Sequence, residues 1–300
     1  MVLKSLDAFV ELALQKGKKV IAVAAAGDLP VLESVAEAKK QNFCSSILVG
    51  DEEKIRAIAS QIGFDLSEIE VIHEPSPEKA CKVAVQLVRE GKAQLLMKGQ
   101  VSTAGFLRAV LDKEVGLRTG SLLSHVGFFE SRVYPKLIAV TDAAQNINPT
   151  LDMKVSIIKN TIELYHRLGV ERPKIALIAA IEDVNSKMPA TVDAAALTMM
   201  NLRNQITGCA IDGPLGLDNA ISKEAAEHKG VTSEVAGDVD LLFFPNIEVA
   251  NAVYKSITYF GETVVAGTLL GAQVPIVLTS RSDSERSKLM SIALAVAACE

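Results

Sequence analysis

The chain has 300 residues, 49% of them hydrophobic but only 4% aromatic, without tryptophan, and its formal net charge is -5. That length fits two ordinary domains or one large α/β domain, and a core drawn from Ala, Val, Ile and Leu suits helices covering a parallel sheet. The acidic balance gives no general footprint for nucleic acid, no apolar run is long and charge-free enough to span a bilayer, and the start MVLKSLDAFVELALQKGKK reads as an amphipathic helix rather than a signal peptide. A soluble, cytoplasmic protein is therefore expected, with no nucleic-acid or membrane partner.

Lys19 to Ala25 is an apolar run ending in Ala26-Gly27-Asp28-Leu29-Pro30, and Val31 to Lys40 has helical periodicity, so the chain opens on a βα unit. Ser45 to Val49 and Ile69 to His73 are further strands. They are followed by the helix Glu52 to Ile62 and by one that Ser76-Pro77-Glu78 opens and that runs to about Glu90, with proline in the first turn, where its missing N–H costs nothing. Such alternation predicts a parallel sheet with right-handed crossovers and ligands beyond the carboxyl ends of its strands. Lys98-Gly99-Gln100 lies at one such end, after the apolar run Gln94 to Met97 and before Ser102-Thr103 and a helix from Ala104 to Leu111. Helix N-terminal N–H groups, two hydroxyls and a lysine favour an anion there; the alternative is that Ser102 or Thr103 caps the helix and Lys98 is solvated. A second loop, Leu117 to Ser121, precedes the next apolar run.

The pattern breaks between Ser121 and Thr141. Leu122 to Phe129 and Lys136 to Thr141 are strand-like runs joined by a connection too short for a helix, so they are expected to be antiparallel neighbours, with a domain boundary nearby. A polar loop, Thr141 to Pro149, precedes the long helix Thr150 to Leu168. Alternation then resumes with strand Lys174 to Ala180, helix Met188 to Arg203, strand Gly208 to Ile211, helix Asn219 to His228, strand Asp240 to Phe244 and helix Glu248 to Tyr259. Two more apolar runs, Thr263 to Leu270 and Pro275 to Thr279, lead through Ser280-Arg281 to an Ala/Leu-rich helix, Ser287 to Ala298.

P-loop, GxGxxG, HExxH and GxSxG signatures are absent, which removes the commonest ATP, NAD, zinc-protease and hydrolase readings. The four cysteines, Cys44, Cys81, Cys209 and Cys299, have no CxxC spacing and read as small core residues. His125 sits in an apolar run and reads as a core histidine, while the other histidines have no ligand spacing. What remains are polar loops at strand ends. In the last of them, Ser280-Arg281, a hydroxyl, a guanidinium and free N–H groups come together where an oxyanion or phosphate can sit; the competing reading is a helix cap with a surface-paired arginine.

Lys98-Gly-Gln-Val-Ser-Thr-Ala-Gly-Phe-Leu-Arg108, Ser121-Leu-Leu-Ser-His-Val-Gly-Phe-Phe129, Asp142-Ala-Ala-Gln-Asn-Ile-Asn-Pro-Thr150, Ile211-Asp-Gly-Pro-Leu-Gly-Leu-Asp-Asn-Ala220, the run Asp240 to Lys255 and Ser280-Arg281 follow one another in order. Together they resemble the phosphate acetyl/butyryltransferase family, and more closely its phosphate butyryltransferase branch. The resemblance implies an α/β fold of two α/β domains facing a cleft, isocitrate/isopropylmalate dehydrogenase-like, divided as 1–129 with 267–300 and 130–266, in a homodimer. It implies reversible transfer of a butyryl group between coenzyme A and inorganic phosphate, with acyl-CoA and phosphate as substrates and no cofactor or metal. Ser280 and Arg281 would be catalytic, and Lys98, Ser102, Thr103, Arg108, Ser121, Asp142, Asn148, Asp212 and Asn246 would bind substrate. Two alternatives stay open, a phosphate acetyltransferase and a non-catalytic ligand-binding protein of the same fold. The chain departs from the pattern at Ser287, where some members carry an acidic residue proposed as the base for the thiol, and at Ala143, where some carry a cysteine. Asp283 and Glu285 stand nearby, each better suited to a solvated helix start.

Overall fold

The computed structural model of the chain describes residues 1–280 and 283–299; Arg281, expected to be catalytic, lies outside them. In chain order the elements are α1 (Asp7–Gln15), β1 (Lys19–Ala24), α2 (Leu29–Lys40), β2 (Cys44–Gly50), α3 (Glu52–Ile62), β3 (Glu70–His73), α4 (Pro77–Arg89), β4 (Leu95–Lys98) and α5 (Thr103–Val110). There follow β5 (Ser124–Phe129), β6 (Ile138–Thr141), α6 (Leu151–Arg167), β7 (Lys174–Ile178), α7 (Pro189–Leu202), β8 (Ala210–Leu215), α8 (Leu217–Ile221) and α9 (Lys223–His228). The chain closes with β9 (Leu241–Phe243), α10 (Ile247–Phe260), β10 (Val265–Leu270), β11 (Ile276–Val277) and α11 (Glu285–Ala297). None of the described helices is long and apolar enough to cross a membrane.

Two compact units result. One, the Lys98 unit, comprises Asp7–Ser121 with Ala266–Glu300; the other, the Asp142 unit, comprises Met1–Leu6 with Leu122–Val265. The divisions fall at 6/7, 121/122 and 265/266, so β5, which the sequence expectation grouped with the first part of the chain, sits in the Asp142 unit beside its antiparallel partner β6, with Val126 opposite Thr141.

In the Lys98 unit the strands lie in the order β3-β2-β1-β4-β11-β10, all parallel except β10, which is antiparallel to β11 through Leu269 and Ile276. Its helices start where the sequence signals them. Asp28 caps α2 by accepting from Val31 N at 3.3 Å, Asp51 does the same for Lys54 N in α3, and Ser76 caps α4 with Pro77 in its first turn. From Ser287 to Ala297, α11 is buried on every side and packs against α1, α2 and β11, as befits a helix with no polar face.

The Asp142 unit has the order β5-β6-β9-β7-β8, parallel from β6 onward. Phe129, Val140, Ala176, Leu242 and Phe244 build its core, with the Tyr254 ring edge-on to Phe129 at 4.9 Å. Two expectations are corrected here. The strand placed at Gly208 to Ile211 continues through Leu215, because the β7–β8 ladder shifts register between Ala176 and Ile178 and the irregularity accommodates Gly213-Pro214, so Asp212 lies within a strand rather than in a loop. The single helix placed at Asn219 to His228 is two short ones, α8 and α9, because the Ser222 hydroxyl accepts from Ala225 N at 3.2 Å and starts a new helix.

Candidate active site

Because β1, β2, β3, β4 and β11 run parallel, the loops that follow them leave the Lys98 unit from one edge. Val277 of β11 pairs with Met97 of β4, so Lys98-Gly99-Gln100 and Ser280 follow hydrogen-bonded neighbours, although most of the chain separates them in sequence. The Lys98 loop lies tight against the end of β1: Gly99 N donates to Ala24 O and Gln100 N to Ala25 O, both at 2.8 Å. A Cβ on Gly99 would stand 2.3 Å from Ala25 O, so only glycine permits this approach.

Lys98 itself is buried, and its ammonium donates to the carbonyls of Gly99 at 3.2 Å and Val101 at 3.1 Å. It braces the loop from inside. Ser102 caps α5 by accepting from Gly105 N at 3.1 Å, Thr103 is the first helical residue, and Arg108 is exposed in the last turn. Ser121 is exposed, and its N–H donates to Thr119 Oγ1, which in turn donates to Gly271 O at 2.7 Å and ties this second loop to the β10–β11 hairpin. Lys54, which the sequence reading did not single out, hydrogen-bonds Gln100 and passes over Gly27, joining the loops after β1, β2 and β4.

Ser280 is exposed at the end of β11. Its N–H donates to Asp283 Oδ2 at 2.7 Å and its carbonyl accepts from Asp283 N at 3.2 Å, closing a turn just ahead of α11, which Ser284 caps by accepting from Ser287 N at 3.1 Å. Asp283 therefore serves the turn. The residue that sequence reasoning missed is Lys288, buried in the first turns of α11, whose ammonium donates to the carbonyls of both Ser280 and Asp283. Burial pulls its pKa below the usual lysine value, against the opposing fields of Asp283 and Asp28. A lysine in an Ala/Leu-rich helix carries no local sequence signal of such a role.

In the Asp142 unit the equivalent edge carries Asp142 after β6 and Asn246 after β9. Asp142 is buried and its carboxylate is used by its own loop: Oδ1 accepts from Ala144 N and Gln145 N, both at 3.0 Å, and Oδ2 accepts from Asn146 Nδ2 at 2.6 Å. Asn146, also missed, donates to Leu123 O at 2.8 Å. Asn148 is exposed, Asn246 caps α10 through Val249 N at 3.1 Å, and Asp212 accepts from Gly213 N at 2.8 Å. His125 is buried against Tyr254, the rings edge-on at 5.7 Å, in keeping with a core histidine. Burial pushes the thiols of Cys44 and Cys209 up to about 12 and that of Cys81 to about 11, which leaves them little thiolate character. Among the described residues no group of three or more His, Cys, Asp or Glu is placed to hold a metal ion.

This geometry can be set beside known proteins. A phosphate butyryltransferase of Clostridium acetobutylicum is 50% identical over 98% of this chain and 97% of its own length. A phosphate acetyltransferase of Thermotoga maritima is 43% identical over 96% of this chain and 98% of its own. A crystal structure of a branched-chain phosphotransacylase from Enterococcus faecalis superposes with a TM-score of 0.84 at 35% identity, covering 93% of this chain and 98% of that one. The family described as phosphate acetyl/butaryl transferase matches residues 5–81 and 74–296. With that match spanning nearly the whole chain, this protein belongs to the phosphate acetyl/butaryl transferase family.

Proposed function

We propose that this chain transfers a butyryl group reversibly between coenzyme A and inorganic phosphate, butyryl-CoA and phosphate giving butyryl phosphate and free CoA. The observation that carries this reading is the 50% identity with a phosphate butyryltransferase along almost the full length of both chains. Supporting it, Ser280 stands exposed on a braced turn beside the Lys98 loop, on the strand-end edge where α/β folds hold ligands. In the direction of acyl-CoA synthesis the CoA thiolate attacks the acyl-phosphate carbonyl, negative charge collects on that oxygen, and the C–O bond to phosphate breaks. Ser280 would donate to the oxygen, and Arg281 with Arg108 would hold the phosphate. Ser102, Thr103 and Ser121 would supply further donors on the same unit, and Lys98 would act through the loop it braces. Asp142, Asn148, Asp212 and Asn246 belong to the same reading as substrate-binding positions of the Asp142 unit. No carbon changes oxidation state, so the exchange needs no redox carrier, and we assign no cofactor or metal. An isocitrate/isopropylmalate dehydrogenase-like arrangement, a homodimer and a cytoplasmic setting complete the reading.

Phosphate-dependent release of free thiol from butyryl-CoA tests the activity; its absence would leave the ligand-binding alternative. The Thermotoga relative keeps the acetyl alternative in play, and chain length separates the two. Each extra methylene held in an apolar pocket contributes roughly 1–3 kcal/mol of discrimination, so butyryl-CoA is expected to exceed acetyl-CoA clearly in kcat/KM. Equal efficiency would assign the acetyl reaction. Arg281→Gln, which removes the cation and its fork, is expected to raise the KM for phosphate more than that for acyl-CoA; unchanged phosphate kinetics would return Arg281 to a surface role.

A further inference from the structure

Lys288 stands out from the helix that carries it. It is 2% exposed, among Leu289, Met290 and Ile292, which are buried as well. No carboxylate of the described residues pairs with it, and its nearest acceptors are main-chain carbonyls. Removing an ammonium from water without a carboxylate partner is costly, and an apolar side chain would fill this position in α11 at no such cost. The cation therefore does something other than packing. The two carbonyls it binds, those of Ser280 and Asp283, belong to the residues that flank the turn presenting Ser280, and the Ser280 carbonyl accepts from Asp283 N as well. An ammonium can satisfy both because its donors are arranged tetrahedrally around one point charge.

We propose that Lys288 is the positioning residue of the candidate active site, its ammonium locking the carbonyls of Ser280 and Asp283 so that the Ser280 hydroxyl meets the charge developing on the acyl carbonyl. Lys288 acts through Ser280 and does not touch substrate. The inference rests on the acyl-transfer reading above. Two features of the geometry support it: Ser280 and Asp283 are hydrogen-bonded to each other, and Lys288 binds the carbonyls of both. Ser280 is thus hydrogen-bonded through both its N–H and its carbonyl, and a fixed main chain is what a hydrogen-bond donor aimed at a transition state requires.

The test is a double-mutant cycle in the full-length enzyme, with phosphate-dependent thiol release from butyryl-CoA as the assay and thermal melts run on every variant. Wild-type turnover is measured first; if there is none, the acyl-transfer reading fails and this inference falls with it. With an active wild type, Lys288→Met is expected to lower kcat about 100-fold while KM for both substrates stays within about twofold, because orientation of the donor matters in the transition state. Lys288→Arg keeps the charge on a differently shaped head and is expected to lose only about tenfold. In the Ser280→Ala background neither substitution should cost anything further, since the group they position is gone. Should Lys288→Met fail to fold, the cycle with Lys288→Arg decides in the same way. A Lys288 variant that keeps wild-type kcat per folded molecule overturns the proposal, and so does a full additional loss in the Ser280→Ala background.

Discussion

Ser280→Ala is expected to lower kcat roughly 10²- to 10³-fold, with little change in KM or in thermal stability. The Ser280 N–H donates to Asp283 and its carbonyl accepts from Asp283 N and Lys288, and alanine keeps these main-chain bonds. What alanine lacks is the hydroxyl, which in the proposed mechanism would bond the acyl oxygen most strongly as charge develops there. A single donor of this kind is worth about 3–4 kcal/mol in the transition state. Were Ser280 a covalent nucleophile, the loss would be larger, and incubation with butyryl-CoA without phosphate would leave an acylated protein visible by intact mass. Steady-state kinetics together with that mass measurement separate the two chemistries. A stable Ser280→Ala enzyme of full activity would rule out both and turn attention to the loops from Lys98 to Ser121.

Lys136→Met is expected to destabilise the Asp142 unit by about 3 kcal/mol, the low end for removing one partner of a buried ion pair. The Lys136 side chain is only 8% exposed, and its ammonium lies 2.7 Å from Asp240 Oδ1 and 2.9 Å from Asp238 Oδ1. Asp238 is 54% exposed and can regain water, so little of the cost comes from it. Asp240 is 16% exposed, and although Lys174 N donates to its other carboxylate oxygen at 2.8 Å, it would be left with an uncompensated charge next to the core. Urea denaturation should show the loss as a lower midpoint with an unchanged slope. Adding Asp240→Asn should recover part of it, because the stranded charge is then removed as well. A midpoint equal to that of the wild type would mean that the pair is solvated in solution and contributes nothing.

Local signals in the sequence carried a good deal of this structure. Asp28 before Leu29-Pro30, Ser76 before Pro77 and Ser102 before Thr103 each mark a helix start, because a side-chain oxygen there satisfies an otherwise orphaned N–H. Short apolar runs alternating with helical periodicity predict parallel strands, and the connection from Glu130 to Pro135 is short enough to require the antiparallel β5–β6 pair. The placing of Lys98 and Ser280 at strand ends was legible for the same reason, and so was their membership of one set of family motifs.

Which strands are neighbours is not written in any local pattern, since pairing is settled by the packing of segments far apart in the chain. Only the folded Lys98 unit puts β11 beside β4, and with it Ser280 beside the Lys98 loop. Charge is the other thing that sequence alone leaves undecided. In a sequence Lys98 and Asp142 read as groups offered to a ligand, and the folded chain shows each of them buried and hydrogen-bonded to its own loop. Asp212 reads as a loop residue until the register shift between β7 and β8 draws it into a strand. Lys288 looks like one polar residue in an apolar helix. Its surroundings appear only when α11 is buried on every side and the carbonyls of Ser280 and Asp283 come within reach of its ammonium, because a lysine's effect depends on which acceptors surround it and on how little water does.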